Sequence, residues 1–385
     1  MKILLLGEYS RLHNSLKEGL VALGHEVLIV ATGDSFKNYP VDFSIRPKWF
    51  LDYWLLKKCN SGLHKLFKID LQKTEKGVRF FFLLKKLKGF NHIQLINSDA
   101  IETHPSFGIW LLKNLFLQNQ KASKSLLVCG DETPVIDFLL KKELEYSILT
   151  PFFKEKSLKK DFEFSLKYIQ NNYRKQYEFV LKNSSSLIVS DFDYKIPMEK
   201  MGYSVSFIPN PINISQINFE PNTIGEKVVV FLGINRMNYA KKGIQYFEEA
   251  LEIIARKYPK KVEIIIAEDL PYSDYIKSYH KANILLDMVY AFDQGYNALE
   301  TMAKGKVVFT GAEKEFYAYF NLPEVVAVNA KPNAEQIASE LSYLIENPHV
   351  ISEIGQRARK FIEEKHNYQF IAHQYLNAWS EKNFS

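Results

Sequence analysis

Apolar runs closed by a glycine alternate along this chain with segments whose apolar positions recur every three or four residues. Residues 2–6, Lys-Ile-Leu-Leu-Leu, end at Gly7 and have the form of a strand buried on both faces. In residues 13–23, Leu16, Leu20 and Leu23 share one helical face, and Gly24 stands where a C-terminal cap belongs. Residues 26–31 read as a second strand, so the opening predicts strand, helix and strand, joined by a right-handed crossover in a parallel sheet. Strands follow at 93–96 and 125–129 with a helix at 107–117 between them, and at 187–190 and 205–208 with a helix near 195–201. The charged stretch 156–182 predicts one or two surface helices.

Residues 209–226 lack periodicity and carry prolines and asparagines, which marks a linker. A second strand–helix series begins beyond it. Strands are expected at 227–232, 262–267, 284–287, 307–310 and 325–328, a helix at 244–256, and three helices at the end of the chain. The expected fold class is α/β, with two Rossmann-like domains whose parallel sheets face each other across a cleft. Their expected bounds are 1–208 and 209–366, with 367–385 a helix that packs back on the first domain. Ligands of such sheets bind at the carboxyl ends of the strands, which places a site between the domains.

Composition supports a folded chain of two domains: 385 residues, 46% apolar and 14% aromatic. No run approaches the roughly 18 apolar residues of a membrane span. The start of the chain has no cleavage-site pattern and reads as a strand. Cys59 and Cys129 form no metal-binding or disulfide spacing, and a reducing cytoplasm is the expected location. The net charge of +6 is uneven: residues 1–200 hold 31 basic and 22 acidic residues, the remainder 19 and 22. An anionic partner is expected on the first half.

The candidate chemistry lies mainly in the second half. Gly295-Tyr-Asn-Ala-Leu-Glu300-Thr-Met-Ala-Lys-Gly305 reads as a glycine turn, a short helix with one acid inside it, and a second glycine stop before a strand. The first amides of that helix, Tyr296 and Asn297, are donors without intrahelical acceptors, suited to phosphate, and Glu300 is suited to ribose hydroxyls. Upstream, Arg236 and Lys242 flank a strand-to-helix loop, where a guanidinium and an ammonium could neutralise a diphosphate. Solvated loop cations and an ordinary helix acid are the plainer readings of the same residues.

With Arg236 and Lys242-Gly243 upstream, the block 295–305 resembles the retaining nucleotide-sugar glycosyltransferases of the GT-B fold, family 4. Gly24-His-Glu-Val27 and Ile208-Pro-Asn-Pro-Ile-Asn213 resemble the same family. The resemblance implies that Arg236 and Lys242 hold the donor diphosphate, and that Glu300 is the last acid of a Glu-x7-Glu motif gripping the ribose. It implies a UDP- or GDP-sugar donor and no bound metal or other cofactor. It also implies transfer to a hydroxyl acceptor in envelope, capsular or other polysaccharide assembly. The chain departs from the motif where the first acid should stand, because that position is Phe292. Asp293 is the neighbouring substitute, with Asp287 a weaker one. A nucleotide-sugar epimerase on the same fold, or a non-catalytic nucleotide-sugar-binding partner protein, are the alternatives.

The family commonly has a glycine pair after the first strand; here the loop is Gly7-Glu-Tyr-Ser10-Arg-Leu-His13-Asn14. Ser10 and His13 are expected to face the cleft as acceptor or phosphate contacts, and His104 to contact sugar or acceptor. Asp131 and Glu132 are cleft acids, one of them a base toward the acceptor hydroxyl. Asp191-Phe-Asp193 matches a metal-binding pattern of a different glycosyltransferase fold, and is expected to be a plain loop away from the donor site. Segments 48–58 and 79–88 mix cations with large apolar side chains. They read either as amphipathic helices lying on an anionic membrane, at the inner face of which the protein would sit, or as core-facing helices with solvated lysines. Nucleic acid is not an expected partner, since no reading module is present.

Overall fold

A computed structural model describes residues 1–34, 38–67, 69–268 and 279–380. The first sheet contains β1 (Lys2–Leu6), β2 (Glu26–Ala31), β3 (Phe43–Ser44), β4 (His92–Leu95), β5 (Ser123–Val128), β6 (Ser186–Val189) and β7 (Ser206–Phe207). Their order is β3-β2-β1-β4-β5-β6-β7, and every pair is parallel. The second sheet contains β8 (Val228–Ile234), β9 (Val262–Glu268), β10 (Ile284–Leu286), β11 (Val307–Thr310) and β12 (Val328–Asn329), in the order β12-β11-β10-β8-β9 and again parallel. Both are α/β sheets wound in two directions from a central strand, which puts a switch point at the end of β1 and another at the end of β8.

The apolar runs explain the burial. Ile3 to Leu6 are wholly buried, as are all residues of β11, because helices cover both faces of each sheet. Helix α1 (Leu12–Ala22) turns Leu12, Leu16 and Leu20 inward. It ends in a left-handed Gly24, φ 83°, with His25 N–H donating to the Leu20 carbonyl at 3.0 Å. After β3 come α2 (Lys48–Asp52), α3 (Trp54–Phe67) and α4 (Leu71–Leu83), then α5 (Pro105–Gln118) and α6 (Thr133–Leu140). The stretch read as one or two surface helices is broken instead into short turns before a regular helix at Asn171–Asn183. Helix Lys314–Phe320 and the two-residue β3 were not foreseen.

The chain crosses between the domains twice, and the crossings are joined. Ile212 N–H donates to the His366 carbonyl at 2.7 Å, and Tyr368 N–H to the Ile212 carbonyl at 3.1 Å. Helix Tyr368–Ser380 then lies on α1 so closely that a Cβ at Gly19 would stand 2.3 Å from the Tyr368 carbonyl oxygen. Trp379 closes the contact: its ring stacks on His92 with centroids 4.0 Å apart, and Nε1 donates to Gln94 Oε1 at 3.0 Å.

Trp379→Ala should therefore destabilise the whole chain and not only its last helix. The expected loss is about 3–5 kcal/mol, mainly from the vacated volume, since Gln94 Oε1 keeps its bond from Ser125. Equilibrium denaturant unfolding with a fixed m-value checks it.

Candidate functional site

The second domain supplies an anion-binding corner built from two strand ends. After β8 the chain makes a short turn at Arg236–Asn238 and a single helical turn, Tyr239–Lys242. It then passes through left-handed Gly243, φ 69°. A Cβ at Gly243 would stand 2.9 Å from Val289, so glycine is needed there for both conformation and space. This bend aims Lys242 at the end of β10. Its Nζ donates to Asp287 Oδ1 at 2.9 Å, and the same oxygen accepts from Asn297 Nδ2 at 2.9 Å. Asp287 is buried, and it ties Lys242 to the first turn of helix Tyr296–Ala303. In front of that helix the space is open: a Cβ on Gly295 would meet nothing within 4 Å. Gly295 itself has φ −75°, so backbone conformation does not require glycine there. A cation and a helix N-terminus thus meet beside open space, the elements an anion needs.

Arg236 is not drawn into this corner. Its guanidinium sits bidentate on Glu268, at the end of β9, at 2.5 and 2.6 Å, and is half exposed. Leu299 and Met302 face the core as their spacing predicts. Tyr296 is buried, and its hydroxyl donates to the Pro211 carbonyl in the linker at 2.8 Å.

Across the cleft, the β1–α1 loop holds two features that the sequence did not reveal. Ser10 and Arg11 have φ of 52° and 76°, left-handed conformations at non-glycine residues. Each costs roughly 1–2 kcal/mol, strain of a kind found at functional sites. The loop thus keeps the backbone shape of a glycine pair without the glycines. Ser10 N–H donates to Asp34. Arg11 donates to Glu18 and to Gln216 Oε1 in the linker, each at 2.8 Å. Partial burial lowers the Arg11 pKa, but Glu18 and, across the cleft, Glu300 raise it above its ordinary value. Arg11 thus feels the charge of Glu300 from the opposite domain.

The second feature is Glu8. Its Oε2 accepts from Asn14 N and Nδ2 at 2.8 and 2.6 Å, while buried Oε1 has no partner. Burial pushes its carboxyl up to about 8.

Other candidates are placed differently from expectation. His13 does not face the cleft. It is fully buried, with Nδ1 on the Gly7 carbonyl at 2.7 Å and Nε2 facing Gln94 at 3.1 Å, and burial lowers its pKa to about 4. His104 caps the start of α5 and its ring donates to the Asp70 carbonyl at 3.1 Å. Glu132 caps α6, accepting from Ser98 and Thr133, and burial pushes it up to about 7. Asp131 does reach the second domain, where Lys241 Nζ lies 3.4 Å from its Oδ2 and 2.6 Å from Ser165 Oγ.

The largest correction concerns Asp191-Phe-Asp193. This loop is not remote. Asp193 accepts from the amides of Phe292 at 3.1 Å and Asp293 at 3.3 Å, and Asp293 accepts in return from Phe192 N–H at 3.4 Å. Asp293 thus turns its oxygens onto backbone amides of both domains, the other being Gln294 N–H at 2.7 Å. Phe292 packs against Tyr146 of the first domain, ring centroids 5.5 Å apart. Asp131, Asp191, Asp193, Phe292, Asp293 and Gly295 border a cavity of about 130 Å³. That is smaller than the roughly 300–1,000 Å³ of small-molecule pockets, so a larger ligand requires the domains to part. No cluster of three or more His, Cys, Asp or Glu among the described residues is arranged to hold a metal ion.

Comparison with known proteins defines the architecture. HepE of Anabaena, solved with UDP and glucose, matches with a TM-score of 0.60 at 15% identity, over 99% of this chain and 100% of that one. Sucrose-phosphate synthase of Thermosynechococcus elongatus matches at 0.61 and 15% identity, over 98% of each chain. A glycosyltransferase from Rickettsia africae matches at 0.54 and 14% identity, over 99% and 98%. At these identities the likeness defines the architecture, and the fold is GT-B. A family model described as glycosyl transferase-like matches residues 238–377, the part that holds Lys242, Gly295 and Glu300. No curated protein matches the sequence.

The aspartate knot makes domain closure pH-dependent. Burial raises Asp193 and Asp293 to about 7, and Asp191 is raised by burial and by its two neighbours. Groups with raised pKa values in the closed form favour closure fully below the ordinary carboxylate range, and that contribution is lost as pH rises through about 7. Small-angle scattering should show a more open particle at about pH 8 than at about pH 5. Asp293→Asn keeps an acceptor but does not titrate, and it should flatten the change.

Proposed function

We propose that this protein is a glycosyltransferase, transferring a sugar from a nucleotide-diphosphate sugar to a hydroxyl acceptor. The observation that carries the reading is the corner where Asp287 joins Lys242 to the first turn of the Gly295 helix, beside open space. Charge accumulates on the phosphate oxygens as the sugar leaves, and preorganised donors at that place lower the barrier. In this reading Lys242 and the helix amides hold the diphosphate, and Glu300 takes the ribose hydroxyls. Arg236 leaves Glu268 to add a second cation. The GT-B fold, the match of residues 238–377 and the UDP and glucose held by HepE support it.

Retention of configuration, hexosyl transfer and a donor bound without metal follow from the resemblance to family 4. On the acceptor side, burial favours the protonated carboxyl of Glu8, and Asp131 is an acid held by Ser165 and Lys241. The reading places a lipid-linked or otherwise anionic acceptor of polysaccharide assembly against the basic first domain.

One observation favours a second reading. The position that the family fills with a sugar-gripping acid is Phe292, packed under Tyr146. A non-catalytic protein that binds a nucleotide sugar would need no acid there. Calorimetry showing donor binding, with no transfer to any of a panel of acceptors, would favour it.

Arg236→Ala should lower kcat/KM for transfer by about 10²–10³-fold, the usual effect of losing one charge-stabilising donor. Lys242→Ala should weaken UDP binding by about 1.5–3 kcal/mol, the worth of a charged hydrogen bond. Unchanged turnover in the first and unchanged binding in the second would remove the donor site from this corner. A thermal-shift panel of nucleotide-diphosphate sugars identifies the donor.

A further inference from the structure

The first domain bears an apolar face that its own fold leaves uncovered. Of the side chains described in α3, Asn60 alone is buried; Trp54, Leu55 and Leu66 are 64%, 67% and 75% exposed. Further large apolar side chains are exposed on α4, where Phe82 is 66% exposed and Phe81 packs on Trp110 of α5, ring centroids 5.7 Å apart, and α2 packs against both α3 and α4. Monomeric proteins rarely leave so many large apolar side chains together in water without a partner.

The surroundings of these side chains identify the partner. Residues 48–88 contain 11 Lys and Arg and three acids. Each acid is engaged within the fold. Asp52 pairs with Arg46 at 2.9 Å, Asp70 caps α4, and buried Glu75 holds Arg79 and the amides of Trp49 and Phe50. The face therefore carries a net positive charge. Lys58 Nζ stands 4.0 Å from the Trp54 ring centroid, so cation and aromatic are interleaved. Protein interfaces are depleted in lysine, and two copies meeting through this face would set like charges against each other. A nucleic acid would leave the Leu and Phe side chains in water. Lysine around Trp, Phe and Leu on a helix that buries little else is the composition of a helix lying in an anionic bilayer surface.

We propose that this face docks on an anionic lipid bilayer, with Trp54, Leu55 and Phe82 entering the boundary between headgroups and acyl chains. Exposed Lys57, Lys58, Lys85 and Lys86 then meet the lipid phosphates. No helix among the described residues is long and apolar enough to cross a membrane, so the contact is peripheral. It is also close to the cleft. Thr103 donates to the Lys73 carbonyl at 2.7 Å and Lys76 pairs with Glu102 at 2.7 Å, which fixes α4 to the β4–α5 loop at the carboxyl ends of the first sheet. Docking rests on this surface alone and not on the transfer reading, although it delivers a lipid-linked acceptor to the cleft.

Co-sedimentation with vesicles tests it, using phosphatidylcholine alone and phosphatidylcholine with about one third phosphatidylglycerol. The full-length protein should pellet with the anionic vesicles, with blue-shifted tryptophan emission, and be released by high salt. The combined variant Trp54→Glu, Leu55→Glu, Phe82→Glu should bind about tenfold less or weaker. Its circular dichroism and UDP binding should be unchanged, since these side chains are exposed and far from Lys242 in sequence. The proposal is overturned if the protein ignores both vesicles, if the variant binds as well as the parent, or if sedimentation velocity shows a dimer that the variant disperses. UDP binding read in parallel separates failure of docking from failure of the donor site.

Discussion

Two open parallel sheets can turn their carboxyl ends on one another only if the chain passes between them at one place. Here the two passages lie side by side and are bonded through Ile212, His366 and Tyr368. Buried His366 adds a bond between Nδ1 and the Asn210 carbonyl at 2.8 Å, and burial lowers its pKa to about 4, so the junction holds no charge that titrates near neutrality. The contacts on the cleft side include the polar ones, Lys241 with Asp131 and the aspartate knot, beside the ring contact of Phe292 with Tyr146. Water or a ligand can replace the polar ones. A continuous junction on one side and replaceable polar contacts on the other form the arrangement that hinge closure about one edge requires.

Much of the fold was legible because its strands are buried on both faces. Such strands read as unbroken apolar runs, and β1, β2, β8 and β11 were recognisable from their sequence alone. β3 has two residues and no run to recognise. Helix Lys314–Phe320 follows β11 after a short loop, within a stretch read only as the approach to the next strand. The anion-binding corner proposed for the donor was legible because Lys242 and Gly295 sit at strand-to-helix junctions, where local pattern predicts position. That Asp287 joins them was hidden, because a strand-end aspartate has no local signature. Asp193 and Phe292 are a hundred residues apart, and only the hinge brings their loops into contact.

The β1–α1 loop shows a different reason for illegibility. A glycine pair would have announced left-handed backbone. Ser10 and Arg11 adopt that backbone with side chains that disfavour it. The strained shape places a cation, Arg11, which is bound to the linker through Gln216 and feels the charge of Glu300. A glycine at that position would relieve strain and lose the bond between the first domain and the linker.

Phe292 and Arg11 are two sides of one redistribution of charge. An acid at position 292 would lie beside Asp193 and Asp293, both already raised by burial, and a third carboxylate would push all of them further up. An aromatic side chain avoids that repulsion and packs on Tyr146, whose hydroxyl donates to Glu313 in the second domain. The polar duties at the cleft then fall to groups on the first domain: the half-bonded carboxyl of Glu8, the Arg11 guanidinium and Asp131. Selectivity for the reacting sugar would therefore be written in the β1–α1 loop more than in the segment before Gly295. In the transfer reading, changes at Glu8 and Arg11 should alter which donor is accepted, while changes at Lys242 should weaken all donors alike, because the first two lie in the domain opposite the anion-binding corner.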